Sequence, residues 1–180
     1  LTTAEAIEHI ERVIKEGRRE RVWFVNADSL NKAFENEAFR KTLNSGDMVL
    51  ADGIGIKLGA RITEQHIREN VNGTDLFPRL CKHMAGERQS LYLLGAKDGV
   101  PERVRGWIQA HYPGVNVVGL CNGYFPESET PAICRAIREA RPDVLLVALG
   151  APRQEQWIED HFADLGAHVA IGVGGLFDFY

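Results

Sequence analysis

The feature that most constrains this chain is a regular alternation of continuous apolar runs with amphipathic, helix-like segments. Runs such as "LYLLGA" and "VLLVALG" contain no charged residue, so the strands they predict must be covered on both faces. The segments between the runs place apolar residues at helical spacing, as Ala6, Ile7, Ile10 and Val13 do in the first of them. Strands that are buried on both faces and joined by helices form a parallel sheet, so the sequence predicts one α/β domain.

The predicted elements alternate along the whole chain. Strands are predicted at 21–27, 48–51, 90–96, 115–120, 143–150 and 167–175, and helices at 3–16, 28–44, 73–86, 99–114, 128–142 and 152–166, with a short helix after Gly55. The residues expected to face the core from the second helix are Leu30, Ala33, Phe34, Ala38 and Leu43. The expected helix caps are Thr74 or Asp75 at 73–86, and Ser128 or Thr130 at 128–142.

Composition narrows the function classes. The 180 residues are 44% hydrophobic and 26% charged, which suits one soluble domain, and the net charge of -4 argues against a nucleic-acid binder. No apolar run approaches the ~20 residues needed to span a bilayer, and no secretory leader opens the chain, so we expect a cytoplasmic protein. Three scattered cysteines indicate reduced thiols. No histidine or cysteine cluster predicts a metal site, and no cofactor is expected.

Glycine and polar residues follow nearly every predicted strand. The candidates stand in the last residues of a predicted strand or just beyond it: Asn26 at the first, Asp52, Gly53 and Gly55 at the second, Gly95 at the third, Tyr124 at the fourth, Gly150, Arg153 and Gln154 at the fifth, and Gly174, Gly175 and Asp178 at the sixth. Ligands of parallel sheets bind beyond the carboxyl ends of the strands. The recurrence therefore predicts a polar, anion-tolerant cleft at that edge.

The segment "VLADGIGI" leaves the role of Asp52 open. An aspartate between a strand and a glycine turn either caps the next helix or acts on a ligand that the glycines allow to come close. Gly53, Gly55 and Gly59 also resemble a dinucleotide fingerprint, although Asp52 would put a carboxylate against the pyrophosphate. An NAD(P)-linked oxidoreductase is therefore one alternative.

The segment "GAPRQEQW" predicts an anion site. A helix begins near Pro152, and its free N–H groups, with Arg153 and Gln154, can donate to an anion. The structural alternative is a helix begun by proline, in which Glu155 only complements the helix dipole.

Three further motifs carry both a binding and a structural interpretation. In "NGTDL", Asn72, Thr74 and Asp75 contact a polar ligand, or Thr74 or Asp75 serves only as the N-cap of a helix. Tyr124 either stacks on a sugar or base, or is an exposed turn residue. Asp178 either accepts from a sugar or ribose hydroxyl, or caps a turn.

Taken in order, seven segments resemble the TagA/WecG/CpsF glycosyltransferase family across essentially all 180 residues. They are "VNADSLNKAF", "VLADGIGI", "NGTDLF", "LYLLGA", "GYF", "LVALGAPRQEQW" and "GVGGLFDF". The resemblance implies a Rossmann-like α/β fold with a mostly parallel sheet and helices on both faces. It also implies an inverting, metal-independent transfer of N-acetylmannosamine, its uronic acid or glucose from a UDP-sugar to a sugar on undecaprenyl diphosphate. Asp52 matches the family's proposed general base, Gln154 its active-site glutamine and Asn26 its asparagine near the end of the first strand.

The resemblance also bears on partners and location. Family members usually continue past the GGxFD motif with an arginine-bearing tail, whereas this chain stops at Tyr180. We therefore expect residues 1–180 to be a single catalytic core without that tail, whose membrane contact at the inner face of the cell membrane is peripheral and made through the tail. An uncovered apolar surface is expected to favour homo-oligomers. A non-catalytic nucleotide- or sugar-binding module stays open as an alternative.

Overall fold

Six parallel strands form one sheet in the computed structural model, which describes all 180 residues. The strands are β1 (Glu20–Val25), β2 (Met48–Ala51), β3 (Ser90–Gly95), β4 (Asn116–Cys121), β5 (Val144–Ala148) and β6 (Val169–Gly172). Their order across the sheet is β2-β1-β6-β5-β3-β4, and every neighbouring pair is parallel. All carboxyl ends therefore meet at one edge of the sheet.

The chain forms eight α-helices, seven of which cover the two faces of this sheet. They are α1 (Thr3–Lys15), α2 (Ala27–Glu35), α3 (Glu37–Asn44), α4 (Ile54–Ile62), α5 (Gly73–Glu87), α6 (Val100–His111), α7 (Thr130–Ala140) and α8 (Arg153–Leu165). Short 3-10 helices occupy Glu127–Glu129 and Gly174–Phe179. No helix is both long enough and apolar enough to cross a bilayer.

The strands supply alternate residues to two separate cores. Leu146 of β5 packs with α1, α5, α6 and the 174–179 turn, whereas Leu145 and Val147 pack with α2, α3, α7 and α8. This alternation is the period-2 geometry of a strand covered on both sides. The predicted α/β architecture, with a parallel sheet and helices on both faces, is confirmed.

The single helix expected over 28–44 is wrong, because the chain breaks at Asn36. Asn36 is extended, with φ -123° and ψ 103°, and its side chain accepts from the N–H of Phe39. It thus caps α3 while ending α2.

The expected burial of three residues in this region is also wrong. Ala33 and Leu43 are buried, but Leu30, Phe34 and Ala38 are exposed, with Phe34 85% exposed. Leu30 and Phe34 lie beside Val49 of the edge strand β2, beyond which the sheet does not continue to cover them.

The expected caps of two helices are corrected as well. Asn72 caps α5 because it is extended and its Oδ1 accepts from the N–H of Asp75, whereas Thr74 and Asp75 already belong to the first turn. Neither Ser128 nor Thr130 caps α7, since the preceding 3-10 turn enters that helix directly with no extended residue between them.

Candidate functional site

A cleft of about 280 Å³ lies at the carboxyl ends of the central strands β3, β5 and β6. It is lined by Ala96, Lys97, Gly123, Tyr124, Ala148, Leu149, Gly150, Arg153, Gly174, Gly175, Phe177 and Asp178. The lining comes from the loops after β3, β4, β5 and β6, where ligands of parallel sheets bind. The sheet edge predicted from the sequence thus contains a cleft.

Two cations without acidic partners face this cleft. Lys97 and Arg153 both line it, and neither forms an ion pair with an Asp or Glu. Arg153 is held in place because its Nη1 donates to the carbonyl oxygen of Gly123 at 3.2 Å and its guanidinium lies 5.4 Å from the centre of the Phe125 ring. The cleft therefore offers positive charge to an anion.

The start of α8 adds backbone donors beside these cations. Gly150 has a φ of +77°, and the N–H groups of Gly150 and Ala151 donate no hydrogen bond within the chain. Free N–H groups before a helix favour an anionic ligand. The segment therefore carries the charge and the free donors that an anion site needs, and the anion site itself stays a prediction.

Gln154 lies behind the cleft wall rather than in it. This side chain is buried, its Nε2 donates to Glu155 Oε1 at 2.7 Å, and its Oε1 accepts from the N–H of Gly174 at 2.8 Å. A Cβ at Gly172 would come within 3.0 Å of Gln154 Nε2, so this glycine makes room for the amide. Gln154 therefore fixes the Gly174 turn that lines the cleft.

Glu155 is the buried partner in this arrangement. The residue is 1% exposed and its Oε2 has no hydrogen-bond partner. Burial raises the pKa of Glu155. The hydrogen bond that Gln154 donates and the charge of Lys32 lower this pKa, but by less. Glu155 lies in the first turn of α8, where it can complement the helix dipole as the sequence allows, and it also bonds to Gln154 inside the fold.

Asp52 lies at the same sheet edge but outside the cleft lining. It follows β2, which is separated from β6 by β1, so the two strands are about 10 Å apart at ~4.8 Å per strand. The residue is half-buried, and its carboxylate has neither an ion-pair nor a hydrogen-bond partner. Burial raises the pKa of Asp52 above its ordinary value of 3.8.

The glycines after Asp52 serve the backbone and the packing of α4. Gly53 is the N-cap of α4 with a φ of +95°, and no side chain caps this helix, so the capping role considered for Asp52 is wrong. A Cβ on Gly55 would stand 3.2 Å from Ala27 Cβ, whereas Gly59 borders open space. None of these glycines lines the cleft, so the dinucleotide interpretation gains no support there.

Asn26 is a helix cap. Its Oδ1 accepts from the N–H of Ser29 at 2.9 Å and from Ser29 Oγ at 3.1 Å, while its amide nitrogen has no partner. It stands at the end of β1, between Asp52 and the cleft in the order of strands.

The NGTD segment satisfies its own polar groups. Asn72 Oδ1 accepts from Thr74 Oγ1 at 2.7 Å and from the N–H of Asp75 at 2.8 Å, and Asn72 Nδ2 donates to Asp75 Oδ2 at 2.8 Å. None of the three lines the cleft. The segment therefore caps a helix, but through Asn72 and not through Thr74 or Asp75, the expected caps.

The sequence-predicted residues therefore divide into two groups. Those that line the cleft are Tyr124, Gly150, Arg153, Gly174, Gly175 and Asp178. Those that lie outside it are Asn26, Asp52, Gly53, Gly55, Asn72, Thr74, Asp75, Gly95 and Gln154. Gly95 is buried, and a Cβ there would meet the carbonyl oxygen of Ala148 at 2.3 Å, which makes this glycine a packing requirement.

Lys97 is the functional candidate that sequence reasoning did not single out. The signal was present, because the lysine stands two residues after a buried strand ending in glycine. Leu149 and Phe177 form an apolar wall of the cleft, and the sequence did not indicate this role. Apolar residues next to strands are normally expected in the core.

Comparison with known proteins identifies relatives of this chain. The profile of the "Glycosyl transferase WecG/TagA/CpsF family" matches residues 1–180. A protein of Bacillus subtilis (strain 168), named N-acetylglucosaminyldiphosphoundecaprenol N-acetyl-beta-D-mannosaminyltransferase, is 30% identical over 156 residues, which are 87% of this chain and 60% of the relative. A protein of the same name from Staphylococcus aureus (strain NCTC 8325) is 27% identical over 86% of this chain and 60% of its own length. The chain thus spans about 60% of these relatives.

Proposed function

This chain belongs to the glycosyl transferase WecG/TagA/CpsF family, and on that premise we propose that it is the catalytic core of a transferase that moves a sugar from a UDP-sugar to a lipid-diphosphate-linked sugar. The names of the relatives specify an N-acetylmannosaminyl group and an N-acetylglucosaminyldiphosphoundecaprenol acceptor. The acceptor's lipid chain makes the inner face of the cell membrane the proposed place of reaction. Cell-surface polysaccharide synthesis is the proposed pathway class.

The donor's diphosphate is proposed to bind in the cleft. Lys97, Arg153 and the free N–H groups of Gly150 and Ala151 supply positive charge and donors for the departing UDP. Because these groups are already in the fold, they stabilise charge on the leaving group without a metal ion in the proposed mechanism.

The nucleoside and sugar are proposed to contact the cleft's other side chains. Tyr124 is exposed and presents an aromatic face for stacking, and the Asp178 carboxylate is placed to accept from a hydroxyl. Gly174 and Gly175 allow the ligand to approach the backbone closely.

The proposed reaction is a single displacement that inverts the anomeric carbon. The acceptor hydroxyl attacks C1 of the donor sugar, the bond from C1 to the diphosphate oxygen breaks, and UDP leaves. The hydroxyl proton passes to the Asp52 carboxylate, which acts as general base. The gap of about two strands between Asp52 and the cleft is where the transferred sugar and the acceptor hydroxyl would meet.

The observation that carries this proposal is the unpaired state of Asp52. This half-buried carboxylate has no partner within the chain, so it is free to take a proton, and it shares its sheet edge with two unpaired cations. Its raised pKa makes the carboxylate a stronger base than an ordinary aspartate.

The test is transfer to a short-chain lipid diphosphate acceptor that carries N-acetylglucosamine, run over a panel of UDP-sugars with EDTA present. We expect one UDP-sugar to be consumed with inversion at C1. Tight UDP binding without transfer from any donor would instead favour a non-catalytic binding module, and transfer that stops in EDTA would contradict the metal-free mechanism.

A further inference from the structure

Helix α4 carries an exposed apolar stripe. Ile54, Leu58 and Ile62 are 84%, 59% and 77% exposed. They are four residues apart, so they form one line along the helix surface. No residue of α4 is fully buried, and only Ile56 packs against the core from the opposite side. The stripe is therefore not part of the core that residues 1–180 form.

The charges of α4 all have one sign. Lys57 and Arg61 are one turn apart and flank the stripe, neither has an ion-pair partner, and the helix contains no acidic residue. An exposed aliphatic line beside unpaired cations is the pattern of a helix that lies in a membrane interface, where phosphates attract the cations and the acyl boundary receives the apolar side chains.

The position of α4 connects this surface to the candidate base. The helix begins two residues after Asp52, through the turn at Gly53. We propose that α4 is a membrane-contact helix which rests on an anionic lipid bilayer and thereby holds Asp52 at the bilayer surface. The placement of Asp52 over a lipid-linked acceptor rests on the proposed function, whereas the membrane contact itself does not.

A second copy of the chain fits this surface less well. Stable protein interfaces bury about 800 Å² per partner. Three aliphatic side chains on one short helix can bury much less surface than that. Unpaired Lys57 and Arg61 on both copies would also repel each other across a symmetric contact. The charge complementarity favours an anionic lipid surface.

Vesicle flotation tests the contact directly. Vesicles of phosphatidylglycerol and phosphatidylethanolamine should bind the chain, and pure phosphatidylcholine should bind it at least tenfold less. Leu58→Glu should weaken binding to the anionic vesicles at least tenfold. Phe34→Glu is the matched control, because Phe34 is 85% exposed on α2 and should leave binding unchanged. Both variants should keep the wild-type melting temperature.

Two results would overturn the proposal. One is wild-type protein that does not bind the anionic vesicles. The other is an L58E variant that binds the anionic vesicles as well as wild type does. If such a variant changes only from an oligomer to a monomer, the stripe is a contact between copies of the chain and the proposal is equally overturned.

A transfer assay separates failure of this inference from failure of the proposed function. The ratio of transfer to a long-chain acceptor in vesicles over transfer to the short-chain acceptor should fall at least tenfold in L58E and stay unchanged in F34E. An unchanged ratio in L58E contradicts the role of α4. If wild type transfers to neither acceptor, the proposed function fails while vesicle flotation still decides the contact.

Discussion

At the scale of single residues, two carboxylates with raised pKa values have different surroundings. Asp52 is half-buried at the open sheet edge, whereas Glu155 is enclosed behind the cleft and bonded to Gln154. The sequence predicted the position of Asp52 after a strand. It did not predict the burial of Glu155, because a glutamate is almost never fully buried.

Replacing Glu155 by Gln should stabilise the protein at neutral pH. The pKa of Glu155 is raised in the fold, so the native state holds the carboxyl proton more tightly than the unfolded chain does. As the pH rises above the ordinary pKa of 4.5, ionisation of this group therefore lowers the free energy of unfolding. E155Q removes the charge and keeps an oxygen that accepts from Gln154. Urea denaturation should show E155Q more stable than wild type at pH 7, with the difference shrinking as the pH falls toward 4.

The control for this prediction is Glu159→Gln on the same helix. Glu159 accepts from Arg21 and Ser45, so E159Q loses a paired charge and should not stabilise the protein. An E155Q variant that is less stable than wild type at pH 7 would contradict our account of Glu155.

The pH dependence of transfer should report on Asp52. A general base must be ionised, so the rate should rise with pH through the pKa of Asp52, and burial moves this limb above the ordinary value of 3.8. A profile of kcat/KM against pH, measured with the short-chain acceptor, checks the direction, because kcat/KM reports the groups of the free enzyme. A limb at or below the ordinary value would contradict the burial of this carboxylate.

At the scale of elements, local signals predicted the strands better than the helix ends. Strand β2 was predicted at 48–51, as observed, because a continuous apolar run between polar flanks has few alternatives. The break at Asn36 was missed because both flanking segments have helical periodicity. An asparagine inside such a run can either continue one helix or cap a second one, and the sequence does not distinguish the two.

Removing the cap at Asn36 should measure what this break contributes. Asn36→Ala deletes the acceptor for the Phe39 N–H and should lower the free energy of unfolding by about 1 kcal/mol. Asn44→Ala, at the exposed end of α3, is the control and should change it by less than about 0.5 kcal/mol. Equal effects of the two substitutions in urea denaturation would show that the cap is not what stabilises α3.

At the scale of the whole molecule, the order of strands decides which predicted residues meet. The sequence predicts a parallel sheet, so it also predicts that polar strand ends share one edge. It does not predict the order β2-β1-β6-β5-β3-β4, which depends on long-range pairing. That order brings Arg153 and Gly174 together over the central strands and leaves Asp52 at the edge strand.

The two cleft cations should each contribute to nucleotide binding. Hydrogen bonds to charged groups contribute about 1.5–3 kcal/mol, so Lys97→Ala and Arg153→Ala should each weaken UDP binding about ten- to hundredfold. Lys41→Ala is the control, because this lysine lies on α3 and pairs with Glu37 away from the cleft. UDP titrations by calorimetry check these values, and wild-type affinity in both cleft variants would contradict the donor site.

In the proposed mechanism the cleft binds the nucleotide, while Asp52 takes the proton from the acceptor hydroxyl. Turnover and UDP affinity of Asp52→Asn, measured on the same preparation, test it most directly. We predict that kcat falls about 10²–10⁴-fold while the Kd for UDP stays at the wild-type value, because Asp52 lies outside the cleft lining. A D52N protein that turns over like wild type, or that loses UDP affinity in step with turnover, would contradict the account.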